Sequence, residues 1–265
     1  VTVSSEKKIK VVIITGASAG IGRATAVRLA RDGMRLTLLA RRKELLADLA
    51  TEVESLGGEA LVFPADVRDR DAIHQMVGAT LERWARIDVL VNNAGVSYTC
   101  PVAELNPQRL RDTLDTNLLG VIECTQAVLP AMMHQKSGQI INVASIAGLI
   151  GIPHSTIYST SKFGVVGFSD GLRREVSRHG VKVTTFCPGY VATDLSPRLQ
   201  RIAERHPQAE HLPGVMTPEY VAERIARLIF HPRRRQIIPP GWGIIVWLAQ
   251  SITPITDFVI SRANF

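Results

Sequence analysis

The stretch "KVVIITGASAGIGRATAVRLARDG", Lys10 to Gly33, decides how the rest of the chain is read. Its opening "KVVIIT" is a short apolar run rich in β-branched residues, which predicts a buried strand. Its end, "IGRATAVRLARDG", has helical periodicity and stops at Gly33. Between them lies "TGASAGIG", Thr15 to Gly22. Glycines at 16, 20 and 22 let the backbone turn tightly and approach a pyrophosphate at the N-terminus of the helix. The spacing is G-x-x-x-G-x-G, which differs from the commoner G-x-G-x-x-G fingerprint, and no G-K-[ST] follows, so the turn is not a P-loop.

Working outward, strands and helices alternate. "RLTLLA" is a strand and "RKELLADLATEVESLGG" a helix ended by glycines. "EALVFPAD" is a third strand, followed by the helix "RDAIHQMVGATLERWAR", and "IDVLVNNAG" a fourth strand running into a turn. A single long helix is expected from about residue 107 to residue 134. "GQIINVAS" is a fifth strand, the segment around Tyr158 a helix, and "VKVTTFCPG" a sixth strand. This alternation predicts one α/β domain over residues 1–265: a Rossmann-type, doubly wound parallel sheet with helices on both faces. The rhythm breaks after about residue 194, where a polar, proline-punctuated insertion at 194–216 is expected to form a lid. The tail at 236–265 is apolar. Its unbroken apolar pieces are shorter than the ~20 residues of a membrane span, so a strand and a helix packed on the core or on another subunit are expected. Contact with a membrane surface is the lesser expectation.

Composition narrows the class. The chain has 265 residues, 46% hydrophobic and 21% charged, which is a folded globular composition. Its net charge is +7, but the arginines are scattered and not interleaved with aromatics, which argues against a nucleic-acid face. Only "HPRRRQ", His231 to Gln236, is dense, and it reads as a solvated turn between helix and strand. Three cysteines, Cys100, Cys124 and Cys187, show no metal-ligand spacing and suit a reducing compartment. No metal is expected. The opening "VTVSSEKKIK" is polar and does not read as a signal peptide, so a cytoplasmic location is expected, with membrane association through the tail as its variant.

Two positions address the cofactor. Where dinucleotide folds that bind NAD hold an acid for the ribose diol, at the end of the second strand, this chain carries Arg41 and then Arg42. Guanidinium groups there pair with a 2′-phosphate, and two arginines at a helix start are poorly placed against the helix dipole unless an anion is bound. Ser18 can add a hydroxyl. NADP(H) is therefore expected over NAD(H). In "HSTIYSTSKF", Tyr158 and Lys162 stand one helical turn apart on one face. An ammonium beside a phenol lowers its pKa from about 10 and readies it as a proton donor near neutral pH.

These motifs together resemble those of the short-chain dehydrogenases/reductases. "TGASAGIG", Asp66–Val67, "NNAG" at 92–95, Asn117, Ser145, "YSTSK" at 158–162 and "PGYVAT" at 188–193 occur in that order, and the resemblance covers nearly the whole chain up to about residue 195. It implies Tyr158 as acid in reduction and base in oxidation, and Lys162 as the group that lowers its pKa and bonds the nicotinamide ribose. Ser145 would hold the substrate oxygen. Asn117 would distort its helix and carry a water-linked proton relay to Lys162. Asp66 and Val67 would flank the adenine, Asn93, Ala94 and Gly95 would close the adenine-ribose side, and Pro188, Gly189, Val191 and Thr193 would meet the nicotinamide. NADP-preferring members of the family often carry a basic residue inside the glycine turn, where this chain has Ala19; the cofactor expectation thus rests on Arg41 and Arg42.

The expected activity is NADP(H)-dependent interconversion of a ketone or aldehyde and an alcohol. The apolar lid, which includes Leu195, leans toward a hydrophobic substrate, with Tyr190 and Leu195 beside Ser145 and Tyr158. The alternatives are a catalytically silent nucleotide sensor on the same fold and an NAD(H)-dependent alcohol dehydrogenase. The helices at about 107–134 and 158–178 are apolar on more than one face, and the resemblance makes them the pairing face of a homodimer or homotetramer.

Overall fold

The computed structural model describes residues 9–193 and 215–262. Seven parallel strands form one sheet in the order β3-β2-β1-β4-β5-β6-β7: β1 Val11–Thr15, β2 Arg35–Ala40, β3 Glu59–Pro64, β4 Val89–Asn92, β5 Gly138–Val143, β6 Val181–Pro188 and β7 Arg235–Ile238. The direction of winding reverses between β1 and β4, which opens a crevice at their carboxyl ends.

Strand alternation feeds two cores. Val12 and Ile14 point to the layer formed by α1 (Gly20–Ala30), α2 (Lys43–Ser55) and a late helix at Pro218–Phe230; Ile13 points to the layer formed by α3 (Arg70–Trp84), α5 (Gly120–His134) and α6 (Thr156–Val176). Both faces are covered, which is why β1 reads as a continuous apolar run with no polar alternation.

The long helix expected over 107–134 is interrupted. An α-helix, α4, runs from Pro107 to Leu114, a π-helical turn occupies Asp115–Leu119, and α5 follows. Asn117, fully buried in that turn, provides the reason. Its side chain bonds across to the loop after β4 and to α6, and a widened turn lets it reach both. The tail also differs from the expected strand and single helix. After α7 (Pro218–Phe230) and β7, it makes two ten-residue helices, α8 (Trp242–Ser251) and α9 (Thr253–Arg262). The expected lid falls at 194–214 almost wholly outside the described residues, and Leu195 with it.

Candidate active site

The carboxyl ends of β1, β2, β3 and β4 surround a cleft lined by Gly16, Ser18, Gly20, Ile21, Arg41, Arg42, Asp66, Val67, Asn93, Ala94, Gly95 and Thr193. Close packing of backbone against backbone dictates the glycines. Gly16 has φ +67°, and a Cβ there would stand 2.8 Å from Ala94 Cα; a Cβ at Gly22 would stand 2.3 Å from the Gly16 carbonyl oxygen. The NNAG turn is locked onto this glycine turn. The Asn93 and Ala94 amides both donate to Thr15 Oγ1 at 3.0 Å, and Asn93 Nδ2 donates to the carbonyls of Thr15 at 3.0 Å and Gly16 at 3.3 Å. Asn93 is thus a clamp that shapes the cleft.

The start of α1 suits an anion. Ala19 caps it without any side-chain hydrogen bond, and no acidic residue occupies the first turn, so its amides are not satisfied by the protein's own side chains. Arg42 donates from Nε and Nη2 to Ser18 Oγ at 3.2 and 2.9 Å. Arg41 is 67% exposed, with Nη1 3.9 Å from Asp66. Burial works to raise the Asp66 carboxyl, but the hydrogen bonds from the Arg68 side chain and amide, with Arg41 beyond, hold it below its ordinary value. The cleft therefore ends in two guanidinium groups and a hydroxyl, a donor set that fits a phosphate on a ribose.

The catalytic candidates lie at the ends of β5 and β6 and on α6. Ser145 follows β5, and its Oγ accepts from the Ala147 amide at 3.1 Å, which fixes it at the start of the 3₁₀ turn Ile146–Gly148. α6 packs tightly on that turn, since a Cβ at Gly148 would stand 2.6 Å from the Lys162 carbonyl oxygen. Tyr158 is half-buried, and Ser145 acts on its phenol to lower its pKa. Lys162 is buried, with Nζ 5.7 Å from the centroid of the Tyr158 ring, and donates to the Val143 carbonyl at 2.9 Å.

The expected acidification of the phenol by Lys162 is not supplied by the protein's own groups. Burial pushes the Tyr158 phenol up, with the Ser145 hydrogen bond opposing. Burial also lowers Lys162, to about 8. Spacing on a helix brought the two together, but removal from water penalises both charged forms. Cys187, buried next to Lys162, is pushed up to about 12 by burial and stays a neutral thiol.

Asn117 ties the two halves together. Its Oδ1 accepts from the Val96 amide at 2.8 Å, and its Nδ2 donates to the Val96 carbonyl at 2.9 Å and to Ser161 Oγ at 3.1 Å; Ser161 in turn donates to the Tyr158 carbonyl at 2.7 Å. A Cβ on Gly95 would meet Asn117 Oδ1 at 3.2 Å and Lys162 Nζ at 3.8 Å. Both Nδ2 protons are committed, and Oδ1 holds the Val96 amide.

A family model described as short chain dehydrogenase matches residues 10–203, well over half of the chain. The chain belongs to the short-chain dehydrogenase family. It is 39% identical over 224 residues to a 3-oxoacyl-[acyl-carrier-protein] reductase of Synechocystis sp., covering 84% of this chain and 90% of that protein. Among solved structures it resembles levodione reductase, with a TM-score of 0.80 and 30% identity over 89% of this chain and 98% of the other. It also resembles a metagenomic short-chain oxidoreductase in complex with NADP, with a TM-score of 0.71 and 31% identity over 83% and 90%. Like its family, the chain is an oxidoreductase acting on the CH–OH/C=O pair.

Against this family frame the expected residues fall into three groups. Gly16 to Thr193 as given above line the nucleotide cleft. Tyr158, Ser145, Lys162 and Asn117 gather beside it. Pro188 and Val191 are buried supports: the Gly189 amide donates to the Ile238 carbonyl at 2.8 Å, and Val191 pairs with Met216. That strapping carries Thr193 across to the glycine turn, where a Cβ on Gly20 would meet its Cγ2 at 3.1 Å. Tyr190 is exposed at 43% beside them. The cleft also uses Leu39, Ala40, Ala65, Val96 and Thr116, which the sequence reading missed. Their only signal was position, at strand ends or next to Asn117.

Proposed function

We propose that this chain is an NADP(H)-dependent carbonyl reductase, with Tyr158 as proton donor to a hydrophobic ketone, and that a 3-oxoacyl thioester is its substrate class. The cofactor choice rests on Ser18, Arg41 and Arg42 at the ribose end of the cleft, and is supported by the NADP complex of a structural relative. The substrate class takes its support from the name of the Synechocystis relative. The observation that carries the reading is the convergence of Ser145, Tyr158 and Lys162 beside a nucleotide cleft.

The bound nicotinamide supplies the hydride. The chain's own groups then manage the oxygen. Ser145 Oγ holds the carbonyl oxygen and stabilises the charge that grows on it. The phenol of Tyr158, kept protonated by burial, donates its proton to that oxygen. Lys162, held between Tyr158 and the Val143 carbonyl, stabilises the phenolate left behind, and Asn117 carries a water-linked proton relay to Lys162 for reprotonation. The setting we propose is the cytoplasm; the described cysteines are free. The assembly is a homodimer or homotetramer through the helical run 107–134 and α6, where Leu119 of the π turn and Phe163 of α6 are 50% and 44% exposed.

The test follows absorbance at the nicotinamide band with NADPH and with NADH over 3-oxoacyl thioesters, cyclic diketones and simple ketones. Oxidation of NADPH faster than NADH with the thioesters is expected. Equal rates with both cofactors would remove the role of the arginines, and turnover of simple ketones alone would remove the thioester.

A further inference from the structure

Among the described residues, α8 and α9 contribute no side chain to the cleft. One face of α8 is tied to the body of the protein: Val246 is buried with Leu149, Val165 and Val166, and Gln250 Nε2 donates to the Leu149 carbonyl at 2.8 Å. The opposite face is open. Ile244, Ile245, Trp247 and Leu248 are 66%, 53%, 64% and 43% exposed, and Ile252, at the bend before α9, is 43% exposed. At helical spacing these five fall on an arc of roughly 160°. No charged residue occurs from Gln236 to Thr256. The segment itself therefore has no charged group to pair across an ordinary protein interface.

Length and charge say what covers it. Each of the two helices has ten residues and is about 15 Å long, roughly half of a ~30 Å hydrocarbon core. No described helix is long and apolar enough to cross a membrane. Such a hairpin lies along a bilayer with its side chains immersed, and a tryptophan in the middle of the face favours the interfacial zone. The neighbouring flank is cationic. One turn beyond Val166 on α6, Asp170 pairs with three guanidinium groups, those of Arg173, Arg234 and Arg235. Arg234 is 65% exposed, Arg233 beside it is exposed, and the chain carries +7 overall. Anionic headgroups complement that flank. A second copy, carrying the same +7, offers that flank no excess of negative charge.

We propose that the α8–α9 hairpin docks the protein on an anionic lipid bilayer, with Ile244, Ile245, Trp247, Leu248 and Ile252 entering the acyl boundary and Arg233 and Arg234 facing the headgroups. Because Gln250 grips Leu149, next to the turn that opens at Ser145, docking sets the mouth of the site beside the bilayer. That corollary rests on the proposed function; the docking does not.

The experiment sediments the full chain with vesicles of phosphatidylcholine plus phosphatidylglycerol, or of phosphatidylcholine alone, and follows reduction of a soluble ketone in parallel. Binding to the mixed vesicles is expected, weakened at least about tenfold by Ile244→Glu with Trp247→Glu, since each replaces an apolar side chain of the face with a carboxylate. Arg233→Gln and Arg234→Gln are each expected to weaken it about fivefold. Both sets of variants lie on exposed positions, so NADPH affinity stays within about twofold and reports folding. No binding to mixed vesicles at low salt would overturn the proposal. Equal binding by the Ile244→Glu, Trp247→Glu variant would do so too, as would a drop in oligomeric mass for that variant with vesicle binding intact. Vesicle binding without turnover of any ketone would leave the docking standing and remove the reductase reading.

Discussion

The nucleotide end and the catalytic end of this molecule are built by different means. Around β1 and β4 the cleft is made of backbone and small side chains. Gly16, Gly22, Thr15, Asn93 and Ala94 interlock within 3.3 Å, and the charged groups, Arg41 and Arg42, stand at the open rim. Around β5 and α6 the groups that matter are buried polar side chains whose protonation is set by the loss of water. The first end offers shape and positive charge. The second holds protons, so pH and single-atom changes act on it strongly.

Three measurements would break or sharpen that contrast. The largest effect is expected from Tyr158→Phe. It removes one oxygen from the catalytic end, and kcat should fall by roughly 10²–10⁴-fold, the usual contribution of a positioned acid, while NADPH affinity stays within about twofold. Retained kcat would end the assignment of Tyr158.

The next effect comes from pH alone. Lys162 titrates at about 8, depressed from 10.5 by burial. Below that value it is charged and supports the phenolate; above it the charge is lost. The reduction rate should therefore decline above pH 8 and approach about tenfold per unit, with cofactor affinity flat over the same range. A rate that stays level to pH 10 would show that Lys162 keeps its proton or is not needed.

The smallest effect belongs to the rim. Arg42 is exposed and its contacts are screened, so Arg42→Ala is expected to lower the preference for NADPH over NADH by about tenfold or less, with kcat for bound cofactor unchanged. A preference that survives intact would transfer recognition of the 2′-phosphate to Arg41 and Ser18.

Much of this was legible in the chain before folding. Strand and helix positions followed from periodicity because β1 to β6 are covered on both faces and the helices are amphipathic. Part of the cleft lining was legible, from Gly16 to Gly95, since glycine spacing and strand-end placement are local properties. Leu39, Ala40, Ala65 and Thr116 escaped because ordinary apolar and small residues carry no local mark; only the convergence of strand ends makes them a wall. A distortion at Asn117 was implied by the resemblance, but its form, a π turn, was not legible, because its cause is a pair of partners, Val96 and Ser161, that lie 21 and 44 residues away in sequence.

The sequence by itself determined the winding of the sheet, the glycine cradle, the guanidinium pair at its rim and the spacing of Tyr158 and Lys162. Those depend on periods of two and of three to four residues and on the few residue types that tolerate a tight turn. Only the tertiary structure decided the protonation of the site and the open apolar face of α8. Both depend on how much water is left around a group after distant segments have packed, and no local pattern encodes that quantity.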